Sequence, residues 1–132
     1  MWLMTRHGFY SIVQKDDGIH IRARERADLE RMLVGIEAMS MLEQGTDYKV
    51  ILVDASCPEP EIIETPSNDY RFRSIVSQAY LERVMAWLTR TCDYPNFKAQ
   101  IDSDPAQRRK PYHEVWAVIA RALGAYGRKG EA

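Results

Sequence analysis

The sequence predicts an α+β fold: an antiparallel sheet of about four strands with helices packed on one face. Three observations predict it. Ile19-His20-Ile21-Arg22-Ala23-Arg24 alternates apolar and polar at period two, as a strand with one buried and one wet face does. Leu29, Met32, Leu33 and Ile36 then fall at i, i+3, i+4 and i+7, the stripe of an amphipathic helix. Tyr70-Arg71-Phe72-Arg73-Ser74-Ile75 returns to alternation.

The remaining elements follow in order. Trp2-Leu3-Met4-Thr5 and Phe9-Tyr10-Ser11-Ile12-Val13 are short strands rich in aromatic and β-branched residues, with Arg6-His7-Gly8 as the turn between them. Asp16-Asp17-Gly18 marks the next turn. The first helix begins near Ala27 and is expected to stop at Gly45. Val50-Ile51-Leu52-Val53 suits a strand. The prolines of Cys57-Pro58-Glu59-Pro60-Glu61 cannot continue a ladder, because proline supplies no N–H. Residues 54–69 hold five carboxylates and no Lys or Arg, and are expected to form an acidic, solvated loop or insertion.

Ser77 is placed to cap a second helix striped by Leu81, Val84, Met85 and Leu88. Asp93-Tyr94-Pro95 ends it. Asp104-Pro105 offers a further helix start, and Pro111 a restart after a kink. The last helix carries Tyr112, Val115, Trp116, Ile119, Leu123 and Tyr126 on one face and ends at Gly127. This order of elements fits a split β-α-β layout of the ferredoxin kind.

Composition bounds what the protein does. With 132 residues, of which 45% are apolar, the chain is expected to form a single domain over residues 1–132. Lys+Arg number 18 and Asp+Glu 19, so charge alone does not make it a nucleic-acid coat protein. No apolar run is long enough to span a membrane, and Met-Trp-Leu-Met-Thr-Arg lacks the order of a signal peptide. Cys57 and Cys92 are too few for a disulfide framework. A cytoplasmic protein is the expectation.

Four phrases stand together: Met1-Trp2-Leu3 with Gly8-Phe9-Tyr10-Ser11, Thr65-Pro66 with Asp69-Tyr70-Arg71-Phe72-Arg73, Asp93-Tyr94-Pro95-Asn96-Phe97-Lys98, and Tyr112-His113-Glu114-Val115-Trp116. The set resembles a family of small bacterial and phage-borne hypothetical proteins. The resemblance covers both ends and the centre of the chain and omits roughly residues 36–60. It implies a shared fold and marks four segments, and it brings no activity, cofactor or ligand with it.

The residues themselves offer three sites. His20, Arg22 and Arg24 share one strand face, and Arg71 and Arg73 share another; in one sheet they would line the face opposite the helices. Arginine makes up 13 of the 18 basic residues, and guanidinium suits both phosphate binding and stacking on bases. With Tyr10 as a stacking surface, Arg22, Arg24, Arg71 and Arg73 would bind single-stranded nucleic acid or RNA. The competing reading pairs these arginines with carboxylates on neighbouring strands and loops.

The second site is Trp87 as a protein-contact residue, with Met32, Met39 and Met41 as an adaptable surface, in a protein-interaction or inhibitor module. Core packing is the competing reading for all of them. Six basic residues after Pro105 oppose the acidic 54–69 segment in sign, which allows attraction within the molecule or across a homodimer.

The third and weakest is a small enzyme using Asp93, Lys98 and His113, with Asn96 beside them. Against it, Asp93 and Asn96 also suit turn capping, and a histidine in this place is more often a surface residue. His7, His20 and His113 are far apart in sequence and no Cys-x-x-Cys occurs, so no metal is expected. Glycine-rich phosphate loops, dinucleotide fingerprints and Gly-x-Ser-x-Gly are all absent, and no cofactor is expected. A binding function is favoured over catalysis.

Overall fold

A computed structural model describes residues 1–44, 60–102 and 108–124. The chain divides into two compact units, Met1–Asp93 and Tyr94–Ala132. The first contains strands β1 (Trp2–Met4), β2 (Phe9–Lys15), β3 (Gly18–Ala23), β4 (Ile63–Glu64) and β5 (Phe72–Val76), and helices α1 (Arg26–Gln44) and α2 (Gln78–Arg90). The second contains α3 (Phe97–Asp102) and α4 (Arg109–Leu123). The fold class is α+β, as the alternation of periods predicts.

The strands form one open sheet in the order β1-β2-β3-β5-β4, with every neighbouring pair antiparallel. It follows that β3 and β4 run in the same direction with β5 between them. Because α1 connects the two, β3-α1-β4 is a split β-α-β unit. A ferredoxin sheet completes itself with a final strand on the free side of the first; here β2, which precedes β3, occupies that side. The turn from β2 to β3 passes through Gly18 at φ 131°, a backbone conformation that side chains with a Cβ rarely adopt. The fifth strand, β4, lies in the acidic segment expected as a loop. Its two residues pair with Phe72 and Arg73 at the sheet edge. The expected strand Val50–Val53, and the 54–59 part of the acidic segment with Cys57, lie outside the described residues.

One face of the sheet is apolar and carries the core. Tyr10 and Ile12 of β2, Ile19, Ile21 and Ala23 of β3 and Val76 of β5 are buried against Leu29, Met32, Ile36 and Met39 of α1 and Tyr80, Val84 and Trp87 of α2. Met32 and Met39 therefore fill the interior instead of forming a contact surface, while Met41 is exposed. The expected stripe on α2 is rotated: Tyr80, Val84 and Trp87 are buried, Leu81 and Leu88 are partly buried, and Met85 is exposed. The rotation follows from Gly35 of α1. A Cβ there would overlap the Trp87 indole, so the missing side chain makes the space that draws the large ring inward. Ser77 caps α2, its Oγ accepting from the Tyr80 N–H at 3.1 Å.

In the second unit, Asn96 caps the start of α3, its Oδ1 accepting from the Ala99 N–H at 2.9 Å. Pro111 sits in the first turn of α4, where its missing N–H has no intrahelical partner to lose. The helix closes at Gly124, which takes the left-handed conformation at φ 67°, three residues before the glycine expected to end it. Tyr112 and Ala120 are buried, whereas Val115, Trp116, Val118, Ile119 and Leu123 are exposed. Four of the six residues of the apolar face read from the sequence are thus exposed, and Tyr126 lies outside the described residues. No helix among the described residues is long and apolar enough to cross a membrane.

Candidate functional site

The face of the sheet turned away from α1 and α2 is set by strand parity. Trp2 pairs with Ser11, Ser11 with Arg22, Arg22 with Arg73, and Arg73 with Ile63, so these five side chains form one row across all five strands. A second row places Val13, His20 and Ile75 side by side. The expectation that Arg22 and Arg73 share a face is therefore met by the ladder itself.

The four arginines divide into two kinds. Arg24 and Arg71 are exposed and each meets a carboxylate: Arg24 Nη2 lies 3.1 Å from Asp69 Oδ2, and Arg71 Nε lies 2.9 Å from Glu64 Oε1. Both partners come from the acidic segment, so the competing reading holds for this pair. Arg22 is half-buried and donates from Nη2 to Ser11 Oγ at 2.7 Å. Arg73 is only 7% exposed, and its Nη1 meets His20 Nδ1 at 3.2 Å. A guanidinium only donates, so Nδ1 accepts and Nε2 carries the ring proton, which it donates to Asp17 Oδ1 at 2.7 Å. That hydrogen bond holds the Asp17 carboxyl below its ordinary value.

Tyr70 organises the outer part of this face. Its ring lies 4.7 Å from Arg22 Cζ and 4.3 Å from Arg24 Cζ, so both guanidiniums stack on one buried phenol. Sequence alternation assigns Tyr70 to the apolar side, but it precedes β5 and is not bound by strand parity. Trp2, 73% exposed, stands at the other end of the row, with its ring centroid 6.4 Å from that of Phe9.

Comparison with protein-family models, curated proteins and solved structures finds no match. The site is therefore read from its own residues.

Tyr10 does not belong to it. Ser11 faces Arg22, so Tyr10 points to the opposite side, where it is fully buried and its hydroxyl donates to the Asp28 carbonyl at 2.8 Å. The pairing of β2 with β3, which no single strand reveals, decides its side. Ile12, two residues on, already marks that parity as the core side. Ser11, Tyr70 and Trp2 are the members that strand-by-strand reading misses.

Trp87 is 5% exposed and belongs to the core, so it offers no protein-contact surface. Asp93, Lys98 and His113 are engaged by three different partners. Asp93 Oδ1 pairs with Arg6 Nη1 at 2.6 Å, Lys98 Nζ lies 3.8 Å from the centre of the Trp116 ring, and His113 Nε2 meets Asp102 Oδ1 at 2.7 Å. Asp102 also receives Arg109 Nε at 3.3 Å. Among the described residues, no three of His, Cys, Asp and Glu gather as metal ligands.

Proposed function

We propose that this protein binds single-stranded nucleic acid on the sheet face turned away from α1 and α2. The observation that carries the reading is the cross-sheet row that starts at the exposed Trp2 indole and runs through the buried Ser11 and half-buried Arg22 to the buried Arg73, with the exposed Arg24 and Arg71 beside it. Trp2 and Phe9 offer a stacking platform, and stacking one base on an aromatic ring contributes about 1–3 kcal/mol. Arg24 and Arg71 border the same face. Their surface ion pairs with Asp69 and Glu64 are worth about 0–1 kcal/mol each, so phosphates displace those carboxylates at little cost. Base stacking on exposed aromatic rings favours an unpaired strand over a duplex, whose bases are stacked on one another.

The test is fluorescence anisotropy of labelled single-stranded RNA and DNA at low and moderate salt. Binding that weakens with salt, and weakens again in Trp2→Ala and in the Arg24→Ala/Arg71→Ala double variant, supports the reading. Absence of binding at low salt ends it. A second reading, contact with another protein, rests on the outward apolar side of α4. It predicts that Ile119→Lys abolishes capture of that partner while leaving helix content unchanged.

A further inference from the structure

We infer that Arg22 and Arg73 together form a seat for one tetrahedral oxyanion, a phosphate or a phosphate ester. The two residues are direct cross-strand partners on β3 and β5. Side chains so paired start about 5 Å apart, and like charges placed there repel. Such an arrangement normally carries a carboxylate between the two cations. Among the described residues none pairs with either: Arg22 reaches the Ser11 hydroxyl and the Tyr70 ring, and Arg73 reaches a neutral edge of His20. The carboxylate nearest along these contacts, Asp17, meets the far nitrogen of that ring.

Among the described residues both Nε atoms are buried with no hydrogen-bond partner, and Arg73 as a whole is more than nine-tenths buried. A buried donor on a charged group is costly to leave unpaired. Two guanidiniums on directly paired strand positions, each with an Nε–H to give, are the donors a tetrahedral oxyanion takes, since it accepts two parallel bonds from each fork. Ser11 adds a hydroxyl on the same row. Tyr70 lies over Arg22 on this side of the sheet, 4.7 Å from its Cζ. As a statement about which atoms meet a nucleic-acid phosphate, this rests on the reading proposed above; as a statement about an anion seat it does not.

The experiment follows the arginine Nε–Hε signals of the isotope-labelled full chain by NMR. Sodium phosphate is titrated against sodium chloride at matched ionic strength. The two buried signals are assigned by their disappearance in Arg22→Gln and Arg73→Lys. Saturable shifts of both with phosphate and neither with chloride are expected, together with a phosphate-dependent rise in the unfolding temperature that is lost in Arg22→Gln. Should Arg73→Lys fail to fold, the half-buried Arg22→Gln decides the matter. Signals that stay fixed through the phosphate titration overturn the seat, even where the chain binds RNA. Phosphate binding without binding of single-stranded RNA or DNA upholds the seat and overturns the nucleic-acid reading.

Discussion

The His7 imidazole stacks on the Trp87 indole, with ring centroids 4.2 Å apart and planes inclined by 27°, while its Nε2 meets Thr91 Oγ1 at 2.8 Å. The Thr91 hydroxyl proton goes to the Trp87 carbonyl at 2.9 Å, so His7 is the donor in its own bond. One histidine thus ties the β1–β2 turn to the end of α2, 84 residues away. The same indole lies against the bare Cα of Gly35.

Gly35→Ala is therefore expected to destabilise the chain, although alanine is the better helix former. The added methyl overlaps a buried ring that is already stacked on His7, and overpacking of this kind costs about 1–3 kcal/mol. Urea unfolding followed by circular dichroism checks it. A lower midpoint with an unchanged slope is expected. An unchanged midpoint would show that Trp87 yields without cost.

Asp28 is 6% exposed, accepts from the Phe9 N–H at 3.2 Å and pairs with Arg31, whose Nε donates to the His7 carbonyl at 2.6 Å. A Cβ at Gly8 would overlap this carboxylate, which explains the glycine in the turn. Asp28→Asn keeps the shape and removes the charge that Arg31 answers. A loss of about 1–3 kcal/mol is expected in thermal or urea unfolding, the usual cost of degrading a buried charged hydrogen bond.

The lowered pKa of Asp17 fixes a pH dependence. The hydrogen bond from His20 favours the ionised carboxyl in the folded chain relative to the unfolded one. A depressed carboxyl stabilises the fold above the unfolded value of 3.8, and that contribution disappears as the pH falls through the folded value. Wild type is expected to melt above Asp17→Asn at neutral pH, and the gap is expected to close in strong acid. A gap that persists there would assign the effect to something other than ionisation.

Ser77→Ala is expected to cost about 1 kcal/mol by leaving the Tyr80 N–H without its side-chain acceptor, and Ser77→Asp to keep most of the stability. Comparing the two variants by urea unfolding separates capping from a general effect at this position.

The parts of the fold governed by local rules were legible in the sequence. The alternation of residues 19–24 and the stripe from Leu29 to Ile36 each follow from a backbone period, and Ser77 from the unpaired donors of a helix start. What was not legible depended on pairing between distant segments. Tyr10 changes sides because Ser11 faces Arg22, and Trp87 goes inward because Gly35 opens a space on another helix. The two residues of β4 have no period of their own and exist as a strand only through β5. The arginine face was legible as a pattern. Its division into a paired exposed set and an inner set with no carboxylate partner among the described residues was not, because that depends on where Glu64 and Asp69 fall.

The early position of β2 in the chain also sets an order of assembly. The β2–β3 hairpin closes across a two-residue turn and forms on a timescale of about microseconds. The β3–β5 ladder joins residues 49 to 57 positions apart, from Ala23 with Phe72 to Ile19 with Val76, and closing a loop of that length costs about 3–4 kcal/mol of chain entropy before any contact repays it. By this entropy argument the hairpin is the ready template, and the arrival of β5 on β3 is expected to be the slow step.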